Sequence, residues 1–333
     1  MSAKFGFLKT PVDGVILAAG GGTRMRPLSY EISKPMLPIC NKPLLALLAE
    51  RMDEIGMKSI IIIVSPSNFN FIKNYFKIHP LTRNTPITYA IQKEALGTAH
   101  ALLQAKDYIK CEFIFAMAGD NYFSSETIFN LINHHLQDVP EVTIALKKVT
   151  SKEIITLSSV LINKRRLIQK IVEKPSKDEI LSLLAATSAY TFDSSFFNIL
   201  SEIPISIRGE YEIPTAFEVI LKKNGSIKGI ETPDWDHIST PDDLWRFNMI
   251  MCESSDFDTT AIISPSSTIV HSIIGYKSLI GNNCKIDNCL ILPKTVIKDK
   301  QKFRNSILYS NSNNDLEIYQ ISEDYIKKYQ ITI

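Results

Sequence analysis

Three apolar runs of strand length divide the first part of the chain. They occupy residues 14–19, 58–65 and 112–118, and glycine or polar residues bound them. Runs that are apolar throughout are typical of strands buried on both faces of a sheet, because neither face then meets water. Helical patterns lie between these runs. The alternation predicts an α/β fold with a doubly wound, mostly parallel sheet of the Rossmann-like kind.

Periodicity and turn residues predict the remaining elements. We expect helices at 43–56, 68–76, 97–105, 210–224 and 241–252, strands at 86–92, 142–149, 185–192 and 226–231, and a hairpin of 158–163 with 167–173. In an open parallel sheet, ligands lie beyond the carboxyl ends of the strands. The strand ends near residues 19 and 118 are therefore expected to meet at one edge.

The C-terminal part of the chain has a different period. Isoleucine recurs about every six residues, at Ile263, Ile269, Ile274, Ile280, Ile286, Ile291 and Ile297. Such a period predicts short parallel strands stacked as about three coils of a β-helix. A polar stretch at 253–260 sets the boundary, so we expect domains of residues 1–253 and 254–333. Because so few coils are not stable alone, the repeat should dock on the first domain or on another subunit.

Composition excludes several classes of protein. The net charge of +2 favours neither a nucleic-acid surface nor a membrane surface. No apolar run approaches the ~20 residues of a membrane span, and the N-terminal residues lack the apolar core of a signal peptide. We therefore expect a cytoplasmic protein. Cys40, Cys111, Cys252, Cys284 and Cys289 form no C-x-x-C pair, which predicts reduced thiols.

A glycine-rich turn follows the first apolar run. The glycines at 20–22 are followed by Arg24, Arg26 and, further on, Lys34. Glycines let backbone N–H groups approach a phosphate because no Cβ stands in the way, and the cations balance the charge of a polyphosphate. The stretch lacks the lysine and hydroxyl of a P-loop and the G-x-G-x-x-G spacing of a dinucleotide fold. It predicts a phosphate-binding loop of another kind.

The order LAAGGGTRMRP at 17–27, followed by KPMLPI at 34–39, resembles the nucleotide-binding segment of the sugar-phosphate nucleotidyltransferases. The resemblance implies a catalytic domain followed by a short left-handed β-helix, a homo-oligomer (dimer or tetramer), and Mg²⁺ as cofactor. The implied reaction joins a nucleoside triphosphate, UTP or dTTP before others, to a hexose-1-phosphate and releases pyrophosphate. Because the attacking phosphate is already an anion, no general base is required. A mannose-1-phosphate guanylyltransferase is the alternative.

The resemblance also implies the roles of individual residues. QKEALGTAH at 92–100 is similar to the family's base-binding segment, GDNYF at 119–123 to its metal-binding segment, and EKP at 173–175 to its sugar-phosphate segment. The nucleotide-binding candidates are Leu17, Ala19, Gly20, Gly21, Gly22, Thr23, Arg24, Gln92, Gly97 and Thr98. The catalytic candidates are Arg24, Lys34 and Lys174. The sugar-phosphate candidates are Asn121, Glu173, Lys174 and Tyr190. The metal candidates are Asp120 and either Asp236 or His237.

Several positions depart from the family pattern. His237 stands where the second metal aspartate is usual, with Asp236 beside it, and Ser239 replaces a glycine. Ser158 or Ser159 stands where a glycine usually precedes the hairpin. Two hypotheses follow: an active enzyme with an altered sugar pocket, or a catalytically weak regulatory subunit that binds a nucleotide-sugar. The first is favoured because the charged set is complete, and pyrophosphate release distinguishes them.

Overall fold

The computed structural model describes residues 6–206, 208–252 and 254–329. The chain forms two compact units. The first unit comprises Met1–Gly20 and Leu47–Asp236, and the second comprises Gly21–Ala46 and His237–Ile333. The predicted boundary at residue 253 falls outside the described residues, so the division into a catalytic domain and a β-helix stays a prediction.

The strands and helices alternate in the first half of the chain, and short strands dominate after residue 254. In chain order the strands are β1 (Val12–Leu17), β2 (Pro38–Ile39), β3 (Lys42–Pro43), β4 (Ser59–Val64), β5 (Ile87–Ile91), β6 (Phe113–Ala118), β7 (Asn121–Tyr122), β8 (Val142–Lys148), β9 (Ser158–Ile162), β10 (Ile168–Glu173), β11 (Leu184–Asp193), β12 (Ile227–Glu231), β13 (Asp236–His237), β14 (Asp256–Phe257), β15 (Ile262–Ile263), β16 (Thr268–Val270), β17 (Ile273–Ile274), β18 (Leu279–Ile280), β19 (Lys285–Asp287), β20 (Leu290–Ile291), β21 (Val296–Ile297), β22 (Lys302–Arg304), β23 (Ser306–Ser310) and β24 (Leu316–Gln320). The α-helices are α1 (Leu28–Glu31), α2 (Leu44–Glu54), α3 (Phe69–Ile78), α4 (Thr98–Leu103), α5 (Ser125–Asp138), α6 (Phe196–Glu202), α7 (Ile213–Lys222), α8 (Pro241–Met251) and α9 (Glu323–Lys328).

The first unit is built on a mixed sheet with the strand order β10-β9-β11-β6-β1-β4-β5, to which β8 and β12 add beside β11. β1 lies between β4 and β6 and is parallel to both, and β5 is parallel to β4. This is the predicted doubly wound half. β9 pairs antiparallel with both β10 and β11. With β10 it forms the predicted hairpin. The α/β prediction is confirmed, with an antiparallel extension on one side.

Two helices of the first unit, α5 and α6, were not predicted. α5 begins at Ser124, whose side chain accepts a hydrogen bond from the Thr127 N–H and so caps the helix. It buries the apolar side chains of Ile128 and Leu131, but also the imidazole of His135. A polar residue at a position that the helical period requires to be apolar weakens the sequence pattern.

The second unit contains the predicted parallel β-helix. Its three sheets have the orders β14-β17-β20-β23, β15-β18-β21 and β16-β19-β22, and β24 pairs antiparallel with β23. Each strand pairs with the strand one coil later, as Ile262 pairs with Leu279 and Leu279 with Val296. The repeating isoleucines point inward, and those after Ile269 are buried. The left hand of the coil stays a prediction.

Helix α8 packs against the β-helix within the second unit. The indole N–H of Trp245, which is fully buried, donates to the Asn288 carbonyl oxygen at 2.9 Å. Three residues further along α8, the Asn248 side chain accepts from the Cys40 N–H at 2.8 Å and donates to the Pro38 carbonyl at 2.9 Å. The short repeat is therefore anchored on a helix that precedes it, as its length led us to expect.

The prediction that all five cysteines are reduced thiols is wrong. Cys40 and Cys252 form a disulfide, with their Cα atoms 6.2 Å apart, whereas Cys111, Cys284 and Cys289 are free. The pair was not predictable because its members lie 212 residues apart in the sequence and carry no spacing motif. It fastens the β2–β3 hairpin to the end of α8. None of the described helices is both long and apolar enough to cross a membrane.

Candidate active site

The carboxyl ends of β1 and β6 meet at one edge of the first unit. Leu17 lies opposite Ala118, and the Gly119 N–H donates to the Leu17 carbonyl at 2.9 Å. A Cβ on Gly119 would lie 2.8 Å from that oxygen, so the close approach requires glycine. This contact places Asp120 next to the start of the glycine-rich turn. The expectation that these two strand ends come together is confirmed.

The turn after β1 is held from behind. The Ala18 N–H donates to the Ile63 carbonyl at 2.8 Å, and the Ala18 carbonyl accepts from the side-chain amide of Asn68 at 2.8 Å. Asn68 is buried, and it also accepts from the Ser65 N–H. A Cβ added at Gly20 would meet nothing within 4 Å. The space on the Cβ side of Gly20 is therefore open.

Gln92, at the end of β5, is buried beside the helix that follows it. Its side-chain nitrogen donates to the Gly97 carbonyl at 3.1 Å and lies 3.1 Å from Nδ1 of His100. An amide nitrogen carries two hydrogens, so both donors face the protein. The contact of Gln92 with a base stays a prediction.

Gly97 sits where the base-binding segment meets the loop before α7. Its φ is +110°, and a Cβ would lie 2.4 Å from the Tyr211 carbonyl oxygen. That oxygen accepts from the Ala99 N–H at 2.9 Å, and the Tyr211 N–H donates to the Leu96 carbonyl at 2.8 Å. The Thr98 hydroxyl accepts from the Ile213 N–H at 3.1 Å. The Thr98 hydroxyl therefore helps to cap α7.

A charged cluster surrounds Glu173 at the end of β10. The Ser158 hydroxyl donates to its Oε2, and Nη2 of Arg208 lies 3.4 Å from its Oε1. Arg208 also pairs with Glu212. Burial lowers the pKa of Arg208, but the carboxylates of Glu212 and Glu173 outweigh burial and hold the pKa above its ordinary value. Lys174 is exposed beside this cluster. Ser158, one of the two serines that could occupy the usual glycine position, is thus bonded to a candidate sugar ligand.

Tyr190 lies on β11 beneath these groups. It is only 6% exposed, and its ring packs edge-on against Phe217 with the centroids 5.3 Å apart. Burial is the main reason that the pKa of Tyr190 is raised, and the negative charges of Glu173 and Asp120 raise it further. The phenol is therefore a neutral donor between the metal candidate and the sugar-phosphate candidates. Its contact with a sugar stays a prediction.

The candidate metal ligand Asp120 is half-buried after β6. Its Oδ1 accepts from the side-chain amide of Asn121 at 2.7 Å, and Oδ1 of Asn121 accepts from the Trp235 indole N–H at 2.5 Å. No three His, Cys, Asp or Glu side chains converge on a possible ion among the described residues. Mg²⁺ commonly takes one or two carboxylates and completes its shell with substrate phosphates and water, so Asp120 fits that ion. The choice between Asp236 and His237 stays a prediction.

The cations of the glycine-rich turn belong to the second unit. Gly22 has a φ of +61°, and a Cβ there would lie 2.9 Å from Cβ of Lys34. The Ser29 hydroxyl donates to the Gly22 carbonyl at 2.9 Å. Lys34 therefore packs directly against the third glycine. Arg24 and Arg26 are exposed on the same segment.

Sequence analysis missed three residues of these clusters. Arg208 stands directly before Gly209, in a run that reads RGEYEIP, and this position was the available signal. Asn68 looked like an ordinary residue at the start of a helix. Trp235 stands just before β13, where the available signal was that a partly buried indole N–H commonly has a hydrogen-bond partner.

The chain is similar to several known proteins. Residues 13–254 match the nucleotidyl transferase family. The UTP–glucose-1-phosphate uridylyltransferase AglF of Haloferax volcanii is 31% identical over 224 residues, which cover 67% of this chain and 89% of AglF. The bifunctional protein GlmU of Methanococcus maripaludis is 29% identical over 340 residues, covering 91% of this chain and 78% of GlmU.

A solved structure supports the fold. The crystal structure of a UDP-glucose pyrophosphorylase complexed with UDP-glucose superposes with a TM-score of 0.65 at 21% identity, covering 73% of this chain and 98% of that one. At this identity the likeness bears on the fold alone.

Proposed function

This chain belongs to the nucleotidyl transferase family, and from that membership we propose that it joins UTP or dTTP to a hexose-1-phosphate, giving a nucleotide-sugar and pyrophosphate. The proposal is carried by the position of Asp120 beside the start of the glycine-rich turn. The hydrogen bond from the Gly119 N–H to the Leu17 carbonyl, 2.9 Å long, holds it there. The printed activity of AglF, a UTP–glucose-1-phosphate uridylyltransferase, supports UTP and a glucose-1-phosphate.

The proposed chemistry is a direct displacement. An oxygen of the sugar phosphate attacks the α-phosphorus, the bond from this phosphorus to the bridging oxygen breaks, and its electron pair leaves with pyrophosphate. Catalysis then depends on positioning and on balancing charge, not on a base. We assign the triphosphate to Arg24, Arg26 and Lys34. Bound Mg²⁺ would add positive charge at the phosphate oxygens, and Asp120 would hold it.

The sugar phosphate is assigned to the cluster at the end of β10. Lys174 is exposed there, and the Arg208 guanidinium is fixed by two carboxylates with its Nη2 3.4 Å from Glu173. A planar guanidinium matches phosphate oxygens in a fork, which a lysine does not. Glu173 is assigned to a sugar hydroxyl. Because the Ser158 hydroxyl already bonds to this carboxylate, we propose that Ser158 restricts which sugars Glu173 accepts.

Domain organisation, assembly and location complete the proposal. We assign residues 1–253 to catalysis and 254–333 to the β-helix, and the end of the family match at residue 254 supports this division. We further propose a cytoplasmic homo-oligomer, a dimer or tetramer, which light scattering after size exclusion tests directly.

The test is pyrophosphate release from UTP, dTTP, GTP, CTP and ATP, each with glucose-1-phosphate, N-acetylglucosamine-1-phosphate or mannose-1-phosphate, in Mg²⁺ and then in Mn²⁺. Turnover with UTP or dTTP is expected, and Asp120→Asn should abolish it. Asp107→Asn is the matched control, since Asp107 is exposed elsewhere in the same unit. Turnover with GTP and mannose-1-phosphate alone would replace the proposal by a guanylyltransferase.

A second candidate rests on His237, which stands where a carboxylate is usual. In this second candidate function, the chain is a regulatory subunit that binds a nucleotide-sugar but catalyses the reaction poorly. If UDP-glucose raises the melting temperature while no pair releases pyrophosphate, this candidate replaces the first.

A further inference from the structure

Asp120 is the last member of a hydrogen-bonded relay whose other members the proposed reaction does not use directly. Nε1 of Trp235 donates to Oδ1 of Asn121 at 2.5 Å, and Nδ2 of Asn121 donates to Oδ1 of Asp120 at 2.7 Å. All three residues lie in the first unit. We propose that Trp235 and Asn121 are positioning residues that orient the Asp120 carboxylate for a divalent cation. This inference rests on the proposed function.

The relay has only one workable direction. An indole N–H donates and never accepts, so Trp235 can be satisfied only by the oxygen of the Asn121 amide. Once that oxygen faces Trp235, the amide nitrogen must face Asp120. The tryptophan thus removes the ambiguity of an amide that could otherwise rotate by half a turn. Asn121 is 2% exposed, so its side chain is shielded from bulk water.

The donor side of the relay is itself anchored. Asp234, next to Trp235 in the chain, accepts from the Ser124 N–H at 2.5 Å and from the Thr127 hydroxyl. Both donors belong to the N-terminal turn of α5, where a carboxylate is also favoured by the helix dipole. The chain that carries the indole is therefore fixed against the helix that follows β7. The position of Trp235 does not depend on a ligand.

The acceptor side explains what the relay can do. A carboxylate rotates about its Cβ–Cγ bond, and a donor bound to one oxygen removes that freedom. Groups that orient a metal-ligating carboxylate affect metal affinity about tenfold to hundredfold when they are removed. The relay uses one of the two hydrogens on the Asn121 amide nitrogen, so the expected contact of Asn121 with the sugar phosphate stays a prediction.

The experiment measures metal binding without turnover. Mn²⁺ alone is titrated into wild-type protein, Asn121→Ala, Trp235→Phe and the double variant, and the unbound ion is followed by its EPR signal. Asn121→Ala should weaken binding about tenfold or more, and Trp235→Phe should weaken it less. In the relay Trp235 acts on Asp120 through Asn121, so the double variant should bind Mn²⁺ no more weakly than Asn121→Ala.

Trp245→Phe is the matched control, since it also removes a buried indole hydrogen bond, to Asn288 at 2.9 Å, in the second unit. Its Mn²⁺ affinity should equal that of the wild type. Additive losses in the double variant, or an unchanged affinity in Asn121→Ala, would overturn the relay while leaving the enzyme proposal intact. Wild-type protein that binds no Mn²⁺ would overturn the metal assignment and the relay together, and pyrophosphate release would still decide the reaction. If Asn121→Ala does not fold, Trp235→Phe with an unchanged Mn²⁺ affinity also overturns the relay.

Discussion

Replacement of Gly97 by alanine perturbs the contact that joins the base-binding segment to the loop before α7. Gly97 has a φ of +110° and a ψ of 176°, a region that is essentially reserved for glycine. A Cβ at this position would lie 2.4 Å from the Tyr211 carbonyl oxygen and 2.9 Å from the Tyr211 nitrogen. Both atoms are backbone, so no side-chain rotation relieves the clash.

The cost follows from two terms. The backbone conformation costs an alanine about 1–3 kcal/mol. If the loop moves away instead, the Ala99–Tyr211 and Tyr211–Leu96 hydrogen bonds at 2.9 and 2.8 Å are lost, at about 1 kcal/mol each. Either route therefore costs Gly97→Ala about 2–3 kcal/mol. Since 1.4 kcal/mol is a tenfold change, nucleotide affinity should fall by up to about hundredfold.

Isothermal titration of UTP into Gly97→Ala measures this loss. The melting temperature should fall by only a few degrees, because the loop can shift while the sheet stays intact. Gly6→Ala is the control, since its Cβ would meet only a ring carbon of Phe129 at 3.8 Å. If Gly97→Ala binds UTP within twofold of the wild type, the contact does not shape the base site and the reasoning fails.

Three further predictions concern distant parts of the chain. Reduction of the Cys40–Cys252 disulfide should lower the melting temperature by about 10 °C, because it opens a loop spanning 212 residues that is worth about 5 kcal/mol of chain entropy. Burial lowers the pKa of His135 from 6.5 to about 4, so the unfolded chain takes up the proton first. The free energy of unfolding should therefore fall between pH 6.5 and pH 4, by up to about 3 kcal/mol more than in His135→Gln, as urea denaturation would show. Arg208→Ala should reduce kcat/KM for the sugar phosphate about tenfold to hundredfold and leave UTP binding unchanged.

Each of these has a check. Alkylation of the denatured protein should label three thiols before reduction and five after it, and five labelled thiols from the start would refute the disulfide. Equal acid sensitivity of wild type and His135→Gln would show that His135 does not titrate on unfolding. Lys222→Ala, an exposed cation on α7, should leave kcat/KM unchanged. If kcat/KM fell equally in Lys222→Ala and Arg208→Ala, the effect of Arg208 would come from its contribution to net charge and not from its position.

The elements that the sequence predicted are those with a local period. The apolar run of β4 is buried throughout, and the structure ends that strand within one residue of the predicted bounds. The isoleucine spacing predicted the β-helix because every coil repeats the same inward positions. α5 escaped prediction because His135 interrupts its apolar face, although Ser124 offered a capping signal.

The candidate site was predicted in its parts but not in its connections. Sequence motifs identified the glycine-rich turn, Gln92, Asp120 and Lys174, because each follows a strand end, and Asp120 and Lys174 also adjoin a glycine or a proline. They did not show that Gln92 uses its amide hydrogens within the protein, or that Thr98 serves another helix. Those contacts depend on which residues lie near a side chain in the folded protein. A local sequence motif does not encode contacts with residues that are distant in the sequence.

The sequence by itself therefore determined the order of strands and helices, the β-helix and the family's charged residues, because backbone preference, burial period and glycine all act over a few residues. Only the tertiary structure decided which distant groups meet. It paired Cys40 with Cys252, set Tyr211 on Gly97, and placed Trp235 where its indole fixes the amide beside Asp120. These contacts close loops of more than one hundred residues. No local preference encodes them, because they form only when the elements within each unit pack together.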